Sequence, residues 1–97
     1  MVVYPIRVHV KGYSGSNQRK REKLHNDIAV ARKLEEYTNT EFKRRMELGV
    51  DSCVFLYANI ARATGVDVET VSRLMFSVDC GSNGFTICAP GHDPLAR

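Results

Sequence analysis

An α+β fold dominated by helix follows from three features of this 97-residue chain. Ile6, Val8 and Val10 alternate with Arg7, His9 and Lys11, which is the two-residue period of a strand with one buried face. Leu24, Ile28, Ala31, Leu34 and Tyr37 recur every three or four residues, the period of a helix with an apolar stripe. Two shorter helical patterns meet at Gly65, and beyond them Val78, Cys80, Phe85 and Ile87 flank the turn-forming run Gly81, Ser82, Asn83, Gly84. A chain of this size builds one modest core, so residues 1–89 are expected to form a single domain. Residues 90–97, with Pro90, Gly91 and Pro94, read as an irregular tail.

The elements follow in order. A strand is expected over residues 2–11, either at a sheet edge or properly starting after Pro5, because Pro5 has no N–H to give to a ladder. Residues 12–17 make a flexible connection, with Ser16 or Asn17 capping a helix over residues 18–37. Thr38 and Glu41 have capping-box spacing, which predicts a break and a shorter helix through Leu48, stopped by Gly49. The alternative is one long helix with a kink. Asp51 offers a cap for a helix over residues 52–64. Gly65 ends that helix, because a left-handed residue costs least when it is glycine. Asp67 can accept from the open amides of the next helix, residues 67–76, and Glu69 adds negative charge at its positive end. Asn83 and Gly84 both adopt positive φ readily, so a β-hairpin closes the series. Strand, helix, short helix, helix, helix, hairpin is the order of a winged helix-turn-helix, with the N-terminal strand pairing with the C-terminal hairpin wing.

Hydrophobic residues at 43% and charged residues at 26% are those of a soluble globular chain. No apolar run approaches the roughly 20 residues that span a bilayer. Pro5, Arg7, His9 and Lys11 interrupt any signal-peptide layout, and cytoplasmic residence is the expectation. The net charge of +3 is unevenly divided: residues 1–50 hold 11 Lys or Arg against 6 acidic residues, and residues 51–97 hold 3 against 5. Three cysteines are an odd number, which favours reduced thiols. Cys80, Cys88 and His92, with Cys53, carry zinc-ligating atoms. Without any Cys-x-x-Cys pair they read more simply as small apolar residues, and no metal is expected. A Cys80–Cys88 disulfide across the hairpin is the oxidising alternative. No glycine-rich phosphate loop, nucleophile with a recognisable base, or acid pair fixed by spacing is present, so neither an enzyme nor a cofactor is expected.

Within residues 57–76, Ile60, Val66, Val71 and Leu74 supply the contacts between the two helices, and the small Ala61 lets their backbones approach. Ile60 and Ala61, Gly65 and Val66, and the run Thr70, Val71, Ser72, Arg73 together resemble the helix-turn-helix of LacI-family repressors and related bacterial regulators. The resemblance implies a second helix that enters the major groove of DNA, which is about 12 Å wide. It also implies base-reading places at Val68, Glu69 and Arg73. That family carries its motif at the extreme N-terminus, whereas here more than 50 residues precede it. The motif carries over; the family's sugar-binding architecture does not.

Burying Val71, Leu74 and Met75 turns Glu69, Thr70, Ser72 and Arg73 outward, where Thr70 and Ser72 are candidate donors to bases or phosphates. Arg73 suits guanine O6 and N7, and Glu69 can accept from a cytosine amino group. Alternatively Glu69 and Arg73, four apart, pair with each other on a solvated face. Asn59 and Arg62 on the preceding helix are candidates for the DNA backbone. Arg19, Lys20, Arg21 and Lys23 form the densest cationic cluster, at the unfavourable end of their helix dipole, which favours an external anion such as phosphate. Lys43, Arg44 and Arg45 form a second, weaker cluster. In the wing, Ser82 and Asn83 can touch backbone or minor groove. The expected function is a sequence-specific DNA-binding transcriptional regulator, with a homodimer possible through the helix around residues 24–37. The alternative, favoured by the acidic balance of residues 51–97, is a winged-helix module that docks on another protein.

Overall fold

One helix sets the long dimension of the molecule. The computed structural model describes residues 1–12 and 15–91, and α1 (Gln18–Glu47) runs for 30 of them. At 1.5 Å per residue that is about 45 Å, against principal extents of 50 × 28 × 22 Å. Asn17 caps the helix, its Oδ1 accepting from the Lys20 amide at 3.2 Å. The break expected at Thr38 does not occur. Thr38 is fully buried, and its hydroxyl donates to the Leu34 carbonyl at 2.8 Å, a bond back into the preceding turn rather than a cap on a new helix. Glu41 turns instead to Arg44 and Arg45, at 2.6 and 3.3 Å. The helix stops at Leu48, and Gly49 takes a φ of 91°.

The remaining elements are β1 (Val2–Val3), β2 (Ser52–Leu56), α2 (Tyr57–Thr64), α3 (Val68–Asp79) and β3 (Gly84–Cys88). They make an α+β fold in which a three-stranded mixed sheet has the order β1-β3-β2. Strand β3 runs parallel to β1 and antiparallel to β2, with Phe55 opposite Phe85 and Cys53 opposite Ile87.

Two sequence expectations need correction here. Residues 52–56 form a strand rather than the first turn of a helix. The segment Ser-Cys-Val-Phe-Leu is rich in β-branched and aromatic residues, and its Phe55 is buried between more exposed neighbours. Asp51 does not cap a helix; its carbonyl accepts from the Ala89 amide at 2.7 Å. The hairpin wing across Asn83 and Gly84 does not form either. Val71, Leu74, Met75 and Val78 continue at helical spacing, so α3 extends to Asp79, and Cys80 closes it in the left-handed conformation at φ 50°. Phe85 and Ile87 then bury themselves by pairing with β2.

The N-terminal strand is also shorter than its alternation suggests. Val2 and Val3 pair with Ile87 and Cys88, the cis Tyr4–Pro5 bond follows, and the backbone beyond leaves the sheet. Ile6 and Val8 are buried as the alternation predicts. Their backbone groups bond to side chains of α1 instead of a neighbouring strand. Ile6 exchanges a donor and an acceptor with the Asn39 amide, at 2.9 and 3.0 Å. The Val8 N–H donates to Glu35 at 2.9 Å, and its carbonyl accepts from Arg32 at 3.1 Å. Helix side chains thus satisfy the groups a strand partner would otherwise have to.

The core joins these layers: Ile6 and Val8, Ala31, Leu34 and Phe42 of α1, Phe55, Tyr57 and Ile60, Val71, Leu74 and Met75 of α3, and Phe85 and Ile87. Burial on α1 therefore begins at Ala31. Ile28, expected in the core, is 40% exposed, and Leu24 is half-buried, so the first turns of α1 project past the core.

Candidate nucleic-acid interface

Tyr57 organises the site. It starts α2 directly after β2, its N–H donates to the Asn83 carbonyl at 2.9 Å, and its hydroxyl donates to the Gly81 carbonyl at 2.8 Å. Its ring meets Phe85 at a centroid distance of 6.2 Å. Burial, ahead of the nearby Asp79 charge, raises the phenol pKa above its ordinary value and keeps it a donor. The loop it pins admits only glycine at two positions. A Cβ on Gly81 would lie 2.0 Å from the Gly84 carbonyl oxygen, and one on Gly84 would lie 2.2 Å from that of Phe55.

Between α2 and α3 the turn is equally constrained. Gly65 takes φ 78° and its N–H donates to the Ala61 carbonyl at 2.9 Å. Asp67 Oδ2 accepts from the Thr70 amide at 3.0 Å, and the Thr70 hydroxyl donates to the same carboxylate at 2.8 Å. Those bonds, the side-chain one first, hold the Asp67 carboxyl below its usual range. Thr70, expected to reach bases, has its hydroxyl committed to this cap and is half-buried.

An open groove of about 660 Å³ lies beside α3. Its walls are Val68, Glu69, Ser72 and Arg73 of α3, Ser82 and Asn83 of the pinned loop, and Leu56, Tyr57 and Ala58 of the β2–α2 junction. Six residues singled out in the sequence therefore converge on one surface. Leu56, at the end of β2, and Tyr57 and Ala58, opening α2, are additions that the sequence does not signal, because they enter the groove only through the β2–α2 junction. Val68 is 48% exposed and Leu56 44%, which makes part of the groove apolar.

Arg73 does not pair with Glu69. It makes a two-pronged ion pair with Asp27 of α1, Nη1 to Oδ2 at 3.0 Å and Nη2 to Oδ1 at 2.9 Å. The hydrogen bond from Arg73 is the main reason the Asp27 carboxyl sits below its usual range, with charge from Arg73 and Lys23 adding to it against a desolvation penalty. On the far side of Asp27, a hollow of about 270 Å³ is lined by Lys11, Gly12, Lys20, Lys23, Leu24 and Asp27. Lys11 arrives from the N-terminal segment and Lys20 and Lys23 from α1. The groove and the lysine hollow thus adjoin through a single ion pair. Lys11 and Asp27 are the residues sequence reasoning passed over; Asp27 lies 46 positions from Arg73, and no local pattern links them.

The other candidates lie elsewhere. Arg19 and Arg21 are exposed on α1 but do not line the hollow. Asn59 and Arg62 are exposed on α2 and do not line the groove. Arg44 and Arg45 are engaged by Glu41, and Arg45 also lies over the Phe55 ring at 5.0 Å and donates to Cys53 Sγ. Arg45 thus links α1 to β2. Cys53, Cys80 and Cys88 are free thiols; Cys80 caps α3 and Cys88 is buried in β3, so the cross-hairpin disulfide loses the hairpin it needed. Among the described residues no group of three His, Cys, Asp or Glu side chains could hold a metal, and His92 lies outside them. No helix among them is long and apolar enough to cross a membrane.

No family model, curated protein or solved structure matches this chain.

Proposed function

We propose that the protein binds double-stranded DNA, with α3 in the major groove and the lysine hollow on a flanking phosphate, and that it acts as a small transcriptional regulator. The observation that carries this reading is the Arg73–Asp27 ion pair, because it joins the exposed side of α3 to the densest cationic segment of the chain. Val68, Glu69, Ser72 and Arg73 are the base-contacting candidates, with Thr70 reduced to positioning the first turn. Ser82 and Asn83 line the same groove as α3 and, although no hairpin wing forms there, are candidates for contact with the DNA backbone. Asn59, Arg62, Arg19 and Arg21 remain candidates for outlying phosphates, and a homodimer on a two-fold site would supply a second copy of the same surface.

Binding to a random-sequence duplex, followed by fluorescence anisotropy at about 50 and 200 mM salt, tests the reading. Affinity at low salt that falls steeply at high salt is the expected result, since phosphate contacts release condensed counterions. No binding at low salt refutes it. In that case the exposed Leu56 and Val68 in the groove, with Glu69 beside them, favour the second reading: a module that docks on a protein partner.

A further inference from the structure

The geometry points to Asp27 as a positioning residue that turns Arg73 from a general phosphate contact into a base reader, an inference that rests on the DNA-binding reading above. Guanidinium carries five N–H donors in a fixed plane. Asp27 takes one from each terminal nitrogen, end-on, at 3.0 and 2.9 Å. The Nε–H and the neighbouring Nη2–H form the remaining edge, two parallel donors at the spacing that guanine O6 and N7 accept. No hydrogen bond from Nε is found among the described residues, and Arg73 at 49% side-chain exposure lines the groove.

Two consequences follow. The end-on pair restricts the rotamers of a long side chain, so the free edge is presented without the ordering cost that an unrestrained arginine meets on binding. The carboxylate also cancels the local charge of Arg73, which weakens its attraction to any phosphate regardless of sequence. Asp27 is suited to this role because its own side chain is only 17% exposed and sits on the long, capped α1, and because Lys23 and Lys20 beside it keep the surrounding hollow positive. The anion-binding work falls to the lysines and the discrimination to Arg73.

The test compares a duplex recovered by selection from a random pool with a scrambled duplex of the same composition, for the full chain and for Asp27→Asn, Arg73→Ala and the double variant, each checked for folding by thermal melt. The ratio of the two affinities should fall about tenfold in Asp27→Asn, the size of one good bidentate base contact. Affinity for the scrambled duplex at about 50 mM salt should rise. In the Arg73→Ala background, Asp27→Asn should leave the ratio unchanged. Arg73→Lys, which keeps the charge but lacks the planar fork, should lose the ratio while retaining most of the affinity. A ratio that Asp27→Asn does not change overturns the inference and leaves DNA binding standing. An equal drop with and without Arg73 also overturns it, since Asp27 would then act directly. A wild-type chain that binds neither duplex removes the DNA-binding reading and the inference together.

Discussion

Removing the three lysines of the hollow should change how DNA affinity depends on salt far more than it changes the fold. Lys11, Lys20 and Lys23 converge on one depression from two segments of the chain. If each holds a phosphate, each contributes about 0.9 to the slope of log affinity against log salt, and the three together about 2.7. Raising salt from about 50 to 200 mM would then cost about 40-fold in affinity through these residues alone. The variant with all three changed to glutamine should show a slope shallower by about that 2.7, measured by anisotropy titration at four salt concentrations. Lys43→Gln is the control, because Lys43 lies 20 positions beyond Lys23, about 30 Å further along α1. Equal slopes for the triple variant, the control and the unaltered protein would refute the assignment of phosphate contact to the hollow.

Two further outcomes test the framework around the site. Asp27 is held below its usual pKa by Arg73, so the pair's contribution to stability is fully present above the unfolded carboxylate pKa, about 3.9, and is lost as pH falls through the lower folded value. Melts should therefore show the unaltered protein more stable than Asp27→Asn by no more than about 1 kcal/mol near neutral pH, given the exposure of Arg73. The gap should close as pH falls below the ordinary carboxylate range, and a gap that widens on acidification would contradict the pairing. Gly81→Ala places a methyl 2.0 Å from the Gly84 carbonyl oxygen, so the loop must shift. A loss of about 1–3 kcal/mol in chemical denaturation is expected, and an unchanged midpoint would show that the loop is not held as described.

The parts of this fold that local chemistry dictates are legible in the sequence. Gly65 and Asp67 mark the bend and the cap because left-handed φ and a carboxylate near free amides are requirements met within a few residues. The Ala31, Leu34 stripe and the buried Ile6 and Val8 follow from periodicity alone. What is not legible depends on partners far away in the chain. Residues 52–56 become strand because Phe85 and Ile87 need neighbours, and Thr38 stays helical because its hydroxyl is sealed in the core. The Asn83–Gly84 hairpin signal loses to the helical spacing of Val78 with Leu74 and Met75, and neither residue takes a positive φ. At the site, Val68, Glu69, Ser72, Arg73, Ser82 and Asn83 are foreseeable as a group. Asp27 and Lys11 are not, since nothing near them in sequence indicates what they meet.

Charge explains why that distant meeting matters. Residues 57–79, which comprise α2, the turn and α3, carry Arg62 and Arg73 against Asp67, Glu69 and Asp79, so on their own they would repel a polyanion. Of the 14 Lys and Arg, 11 belong to residues 1–50. Any attraction of DNA to α3 must then come from bringing the first turns of α1 alongside it, and the means are specific. Asn39, Glu35 and Arg32 clamp the N-terminal segment to α1, which carries Lys11 toward Lys20 and Lys23, while Ser77 of α3 accepts from the His9 amide at 3.3 Å on the other side. Asp27 then ties α1 to Arg73. Under the DNA-binding reading, the helical pair contributes shape and base-facing groups while the rest of the fold contributes the attraction. Affinity should accordingly depend on the integrity of the α1 contacts as well as on the helicity of residues 57–79.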